Sequence, residues 1–548
     1  MSGLSNKIHR LRDEVAGVRH SVGVLRKAGL IQLSRPDLLA RSARAMRTLG
    51  PVAGPASVAA ARDRSAVGLV DERGALTYHE LDRRSNALAR AWSLRGLNEK
   101  SVIAVLARDH RGVVDAMLAA GKVGASLLPM NTGFAGPQLV EVARREGVKA
   151  IVYDEEFTDL VADLPEDLPR FLAWVDDRAD RACLQVPTLD DLIACTNDSP
   201  VRTPHTPGRL VMLTSGTGGI PKGAPREITN PLAVATLLER IPLRAGECTV
   251  IGVPLFHGTG LSQFIMSFAL GSTVVIRRRF DVVAILEQMQ RYRATALILV
   301  PTLLQRLVEV DRAVIESTDL SALRIILAAG AALSPELGNR AIEGFGNVLY
   351  NMYGATEVSV ATVAMPEDWQ LAPGTIGRPP TGCVVALLDR DSKRITQPRV
   401  TGRVFVGSPL NFGGYTDGQR KEVIDGLMSC GDLAHFDENG LFFHDGRDDD
   451  MIVSGGENVY PVEIENLLVE HAGVLEAAVV GTADKEFGQR LKAFVVPRQD
   501  WQPDDEELKS YVKANLARYK VPREIVFLDE LPRNATGKLL RRRLTELG

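Results

Sequence analysis

The chain has 548 residues, a net charge of −3, 45% hydrophobic and 24% charged residues. That length is too great for one core and implies two to four domains or subdomains; the composition excludes a disordered chain, and the near-neutral charge excludes a basic nucleic-acid binder. Five scattered cysteines without a CxxC pair argue against a disulfide framework or a zinc site and suit a reducing cytoplasm.

The first fifty residues stand apart, with ten Lys/Arg against Asp13, Glu14 and Asp37. No short apolar core with a small-residue cleavage site follows the first methionine, so a secretion signal is not expected. After Ser34-Arg35-Pro36 the pattern predicts a helix with Leu38, Leu39, Ala45, Met46 and Leu49 on one side and Arg41, Arg44 and Arg47 on another. Residues 1–53 read as a basic helical arm. It either touches an anionic membrane, giving a cytoplasmic protein with peripheral membrane contact through residues 1–50, or packs on the chain's own acidic body.

From about residue 65, apolar strands alternate with helical segments. A helical pattern ends near Trp92, Val102–Leu106 reads as a strand, 111–122 as a helix, and 125–130 and 150–153 as further strands. This alternation predicts an α/β fold with a mostly parallel, helix-covered sheet. Cys248–Ile276 holds no Asp, Glu, Lys or Arg, but Pro254, His257 and several glycines make it strand, loop, short helix and strand rather than a membrane span.

The stretch Leu210–Gly223 carries the strongest chemical signal. A buried strand leads into Thr214, Ser215, Gly216, Thr217, Gly218, Gly219, Pro221 and Lys222. Small residues free backbone N–H groups to face an anion, hydroxyls add donors and a lysine adds mobile charge, as in a loop around a polyphosphate. It is not a Walker loop, because Pro221 precedes the lysine and Gly223 follows it. Downstream, His257 stands at a strand end, and Gly330, Ala331 and Ala332 would let a flat ligand approach the backbone. In Tyr353-Gly354-Ala355-Thr356-Glu357 the ring suits stacking and the carboxylate suits Mg²⁺. Asp432, after Cys430-Gly431, suits the two hydroxyls of a ribose. The charged break at 446–450 reads as a linker to a small unit that carries Gly455-Gly456 and ends on a glycine-hinged loop with Lys538.

In this order, TSGTGGIPKG, YGATE, CGD, GRDDD, SGGENVYP and ATGK resemble the adenylate-forming superfamily over roughly residues 65–545, most nearly the actinobacterial long- and medium-chain fatty acyl-CoA synthetases. The resemblance implies a large AMP-binding domain over 54–447 and a small mobile α+β domain over 448–548, hinged at Asp449. It implies ATP, Mg²⁺ and coenzyme A as co-substrates and a fatty acid that is activated as acyl-AMP and passed to a thiol. Thr214 to Lys222 would hold the β- and γ-phosphates, and Gly330 to Ala332 with Tyr353 the adenine, while Gly354 and Ala355 would belong to the same nucleotide-binding stretch. Thr356 would touch the α-phosphate, Glu357 hold Mg²⁺, and Asp432 with Arg447 the ribose. Lys538 would bridge carboxylate and phosphate. His257 would gate the acyl site, and the Gly455-Gly456 face would cover the thiol tunnel. The pattern departs at Gly218, where a hydroxyl residue is commoner, at Cys430 in place of Thr, and at Gly402-Arg403. Alternatives are a ligase that loads a carrier protein and one for another carboxylic acid; outside the enzyme class, a non-catalytic lipid- or nucleotide-binding protein built on the same fold.

Overall fold

Four sheets and their helices build the chain. The computed structural model describes residues 17–31, 36–176, 185–214, 221–226, 233–448, 450–454, 457–484, 488–499, 501–516, 520–534 and 537–547. A six-stranded sheet runs in the order Arg170–Trp174, Ala150–Asp154, Val102–Leu106, Ser126–Pro129, Leu210–Thr214, Lys222–Arg226. All its pairings are parallel except the last, a hairpin. The parallel strands are near-continuous apolar runs because helices cover both faces.

The second sheet has eight strands, ordered Thr362–Ala364, Leu349–Tyr353, Ile325–Ala329, Ala296–Leu299, Cys248–Ile251, Thr273–Val275, Val67–Asp71, Gly74–Thr77. It is parallel in the middle and antiparallel at both edges. A five-stranded antiparallel sheet (Val384–Leu388, Gly402–Gly407, Val423–Ile424, Leu427–Phe436, Phe442–Arg447) follows. The last sheet, built of Ile452–Ser454, Glu457–Val459, Val474–Asp484, Gly488–Pro497 and Glu524–Phe527, forms the C-terminal unit with helices Pro461–Glu470 and Asp505–Asn515. In that unit Gly473 makes room for Trp501: a Cβ there would lie 2.2 Å from the indole.

Charged pairs join the two large sheets. Arg111, at the start of helix Arg111–Val123, forks onto Asp71 of the eight-stranded sheet, whose side chain is fully buried. Bidentate guanidinium–carboxylate geometry of this kind fixes orientation as well as charge. Nearby, Trp174 lies between the guanidinium groups of Arg73 and Arg278, 3.8 and 4.6 Å from the ring centroid.

The N-terminal arm is part of the body. Residues 17–27 are helical, and a second helical run, Pro36–Arg62, breaks at Gly50 (φ 75°) and continues across the 53/54 position expected as a boundary. Leu38 is buried, and Leu39, Ala45, Met46 and Leu49 are half-buried, with Leu49 packed on the main core; Arg41, Arg44 and Arg47 face outward. Val52, Ala53, Ala56 and Ala59 are core residues. Leu38 and Leu49 are thus engaged by the protein itself. Among the described residues no helix is long and apolar enough to cross a membrane. The contact is close: a Cβ on Gly121 would sit 2.5 Å from the Ala53 Cβ and 2.8 Å from the Leu49 carbonyl oxygen.

Gly121→Leu is therefore expected to destabilise the protein by about 1–3 kcal/mol through overpacking, and removal of residues 1–53 to lower the melting temperature and expose an aggregating apolar face. Thermal melts with light scattering check both; an unchanged melt for either variant would contradict this packing.

Candidate active site

In open parallel sheets, ligands sit beyond the carboxyl ends of the strands. The eight-stranded sheet places His257, Thr302, Gly330 and Tyr353 there, after four of its strands. A Cβ on Gly330 (φ 89°) would lie 3.6 Å from Val300 and 3.7 Å from the His257 Cε1, so these three residues line one small space. The C-terminal unit reaches the same space. Gly537 (φ 78°) rests on Thr302, where a Cβ would lie 2.5 Å from the hydroxyl oxygen. The next residue, Lys538, stands close enough to act electrically on His257. Burial first and the lysine charge second pull the imidazole down to about 4, so it is neutral at physiological pH. Its Nδ1 is buried and meets no hydrogen-bond partner among the described residues.

The Lys538 loop is braced from behind. Arg533 donates to the Gly537 carbonyl oxygen at 2.8 Å and to Glu476 at 2.6 Å, and Asn534 and Lys538 exchange hydrogen bonds of 2.9 Å. Arg541 forks onto Glu465 at 2.6 and 2.9 Å. Helix Pro461–Glu470 packs on helix Pro335–Phe345, and Arg498 reaches Glu336 at 3.5 Å across the seam.

A second cluster surrounds Tyr353. Its hydroxyl donates to Asp432 at 2.6 Å, and Arg447, directly across the antiparallel ladder, donates to the other carboxylate oxygen at 3.1 Å. Asp432 is 6% exposed. Burial pushes its carboxyl upward, but His444, Arg447 and Tyr353 together hold it below its ordinary range. Gly431 (φ 74°) supplies the left-handed turn before it. Gly354 has no alternative residue, because a Cβ would lie 2.0 Å from the Ser359 carbonyl oxygen. Ala355 and Thr356 are half-buried in the same turn, and Ala331 and Ala332 follow Gly330 at the rim. Cys430 is a buried thiol, pushed up to about 12 mainly by burial.

The third cluster is at the glycine-rich hairpin. Thr214 pairs with Lys222 across its two strands. Lys222 meets Gln419, and lies 3.5 Å from Asp417 and 5.6 Å from the Tyr415 ring centroid. The Tyr415 hydroxyl donates to Glu357, which is 8% exposed and 3.8 Å from Lys421. Burial and that bond push the phenol upward, so it stays a proton donor. Ser215, Gly216, Thr217, Gly218, Gly219, Asp449, Gly455 and Gly456 lie outside the described residues.

Sequence reasoning missed the segment Tyr415–Lys421, Thr302 and His444. The signal available for the first was Gly413-Gly414-Tyr415-Thr416-Asp417, a glycine turn followed by donors and a carboxylate.

The AMP-binding enzyme family matches residues 56–416, and the AMP-binding enzyme C-terminal domain matches residues 463–538. The chain belongs to the AMP-binding enzyme family. The architecture of this AMP-binding enzyme is the adenylate-forming one, a large α/β domain with a small C-terminal domain. It is 33% identical to an indoleacetate–CoA ligase of Aromatoleum aromaticum, over 85% of this chain and 91% of the relative. Identity to a fatty acid–[acyl-carrier-protein] ligase, ScoC, of Streptomyces coeruleorubidus is 29%, over 86% and 91%. Among solved structures it is similar to the o-succinylbenzoate CoA synthetase of Bacillus subtilis bound to its acyl-adenylate, with a TM-score of 0.77, 26% identity, and coverage of 89% and 97%. These relatives handle varied acids, so the resemblance to fatty-acid enzymes in particular narrows to the family as a whole.

Tyr353→Phe is expected to leave a buried carboxylate oxygen of Asp432 unpartnered, at a cost of about 1–3 kcal/mol, and to weaken nucleotide binding by roughly five- to a hundredfold. Titration with AMP measures it; a change under twofold would mean that the hydroxyl does not hold Asp432.

Proposed function

We propose that this AMP-binding enzyme is an acid–coenzyme A ligase that works through an acyl-adenylate, and that its acid is a fatty acid. The observation that carries the reading is the convergence of Lys538, His257 and Gly330 at the strand ends, beside a Tyr353–Asp432–Arg447 set built for a nucleoside. A carboxylate is a weak nucleophile and the α-phosphorus a crowded anionic centre, so the enzyme's task is positioning and charge neutralisation. Tyr353 offers its face to the adenine against Gly330, Ala331 and Ala332. Asp432 and Arg447 take the ribose hydroxyls, and Thr356 the α-phosphate. Thr214 and Lys222, with the loop between them, take the outer phosphates. Lys538 places its ammonium between the acid and the phosphate. The neutral His257 imidazole lines the mouth of the acid site without adding charge.

Glu357 is the residue proposed for the metal. Among the described residues no cluster of three or more His, Cys, Asp and Glu is able to hold an ion by itself. A single hard carboxylate fits Mg²⁺ that brings phosphate oxygens as its other ligands. An ion held there would supply neutralisation of phosphate charge, to which Lys222 and Lys421 would add the protein's own share.

Support for an apolar acid comes from the helix that follows His257, Gly258–Ala269. It carries no charge, so no ionic group from this helix would meet the tail of an acid beside His257, while its Leu261, Phe264, Met266 and Phe268 belong to the main core. The indoleacetate ligase and the feruloyl-CoA synthase of Amycolatopsis, 31% identical over 85% of this chain, favour a second reading in which the acid carries an aromatic ring.

Pyrophosphate release with ATP and fatty acids of increasing length, against indoleacetate and ferulate, with and without coenzyme A, tests the proposal. Release should need the acid, thioester should need coenzyme A, and kcat/KM should be highest for a fatty acid. A preference of more than tenfold for a ring acid would replace the fatty acid, and no release with any acid would remove the ligase reading. Lys538→Ala should abolish adenylate formation while sparing thioester formation from supplied acyl-AMP, because the lysine serves one half-reaction. Equal loss of both would contradict its role.

A further inference from the structure

Beneath the loop that carries His257 lies a buried carboxyl to which no role has been given. Asp109 follows strand Val102–Leu106 of the six-stranded sheet and is 7% exposed. Its Oδ1 accepts the backbone N–H of Leu255 at 3.0 Å. Leu255 belongs to the other large sheet, in the loop after Cys248–Ile251 and two residues before His257. The hydrogen bond thus crosses from one sheet to the other at the base of the acid site.

The loop is also held by packing, since Val253 and Leu255 are buried in the main core, and by hydrogen bonds within itself. The N–H of His257 donates to the Pro254 carbonyl oxygen at 2.9 Å, and that of Leu261 to the His257 carbonyl oxygen at 3.0 Å. Gly260 closes the turn, since a Cβ there would lie 2.4 Å from the Val253 and 2.5 Å from the Pro254 carbonyl oxygen. Residues 253–260 therefore form a tight turn, and Asp109 adds a directional hydrogen bond from the opposite sheet to that packing. We infer that Asp109 is a positioning residue: by holding Leu255 it fixes the His257 imidazole against Gly330 and Lys538, and so sets the geometry of the acid mouth. The inference rests on the proposed reading that His257 lines that mouth.

The charges around Asp109 are defined. Arg108 favours its ionised form, whereas Asp154 and Glu72 oppose it. His110 accepts the Gly112 N–H on Nδ1 at 3.0 Å and lies 2.8 Å from Asp154 through Nε2, so that nitrogen carries the proton. Arg278 stands 3.9 Å from Asp154. Burial dominates and pushes the Asp109 carboxyl up to about 7. The ionised carboxylate is the stronger acceptor, so the tie tightens as pH rises through neutrality.

Steady-state pyrophosphate release by the full-length wild type, Asp109→Asn, Asp109→Ala, His257→Ala and the Asp109→Ala/His257→Ala double variant tests this, with acid and ATP varied separately between pH 6 and 8.5. Asp109→Ala should raise KM for the acid about tenfold and KM for ATP less than twofold. Asp109→Asn keeps a neutral acceptor of the same shape and should hold the acid KM near the wild-type value at pH 6 across the whole range. The double variant should match His257→Ala, because one residue acts through the other. Wild-type KM for the acid should fall as pH rises through 7, and that inflection should vanish in Asp109→Asn. Equal rises in both KM values, or additive effects in the double variant, would overturn the inference. Should Asp109→Ala melt below the assay temperature, the Asn variant decides alone: an unchanged inflection overturns it. A wild type that releases no pyrophosphate with any acid would instead refute the functional reading.

Discussion

The carboxylate of Asp432 is the point on which the arrangement turns. A charge this deeply buried is tolerable only when it is paired and hydrogen-bonded. Tyr353 supplies one bond from the eight-stranded sheet and Arg447 the other from the neighbouring antiparallel strand. Arg447 and His444 balance the charge from within the antiparallel sheet, and the Tyr353 bond ties that sheet to the eight-stranded one. The phenol ring and the carboxylate are then a single rigid unit, and the Gly354 turn, which admits no side chain, sets where the residues after Tyr353 emerge.

The same device recurs between the two large sheets. Asp71 with Arg111 and Asp109 with Leu255 bind the start of helix Arg111–Val123, and the residue two positions before it, to the eight-stranded sheet. The helix lies against the six-stranded sheet through its apolar face, with Val113, Val114, Met117 and Leu118 buried. Apolar burial supplies the cohesion here, and directional polar bonds supply the register.

Much of this was legible in the residues. Val102–Leu106, Ala150–Asp154, Ala296–Leu299 and Ile325–Ala329 are short apolar runs between helical patterns, and each is a parallel strand. Cys248–Ile276 folds as strand, loop, helix and strand, as its proline and glycines demanded. The site was legible where chemistry and backbone freedom coincide in one short stretch, as in YGATE and CGD. It was not legible where a residue acts through a distant neighbour. Nothing local to Asp109 points at Leu255, 146 positions away, and nothing local to Tyr415 points at Glu357. The arm shows the same limit. Its stripe was visible, but the helices it packs on, among them Arg111–Val123 with Gly121 against Leu49 and Ala53, lie far along the chain.

The placement of the indole rings gives the molecule an optical property. Of its four tryptophans, Trp92, Trp174 and Trp369 lie in the large domain and Trp501 in the C-terminal unit. Trp501 sits on Gly473 with His471 5.6 Å from it, whereas Trp174 is clasped by two guanidinium groups at the seam between the large sheets. The two rings occupy surroundings of different polarity and charge, so their emission reports separately on two parts of one chain. Loosening of the C-terminal unit would alter the surroundings of Trp501, and parting of the large sheets those of Trp174, each against the emission of the buried Trp92 and Trp369.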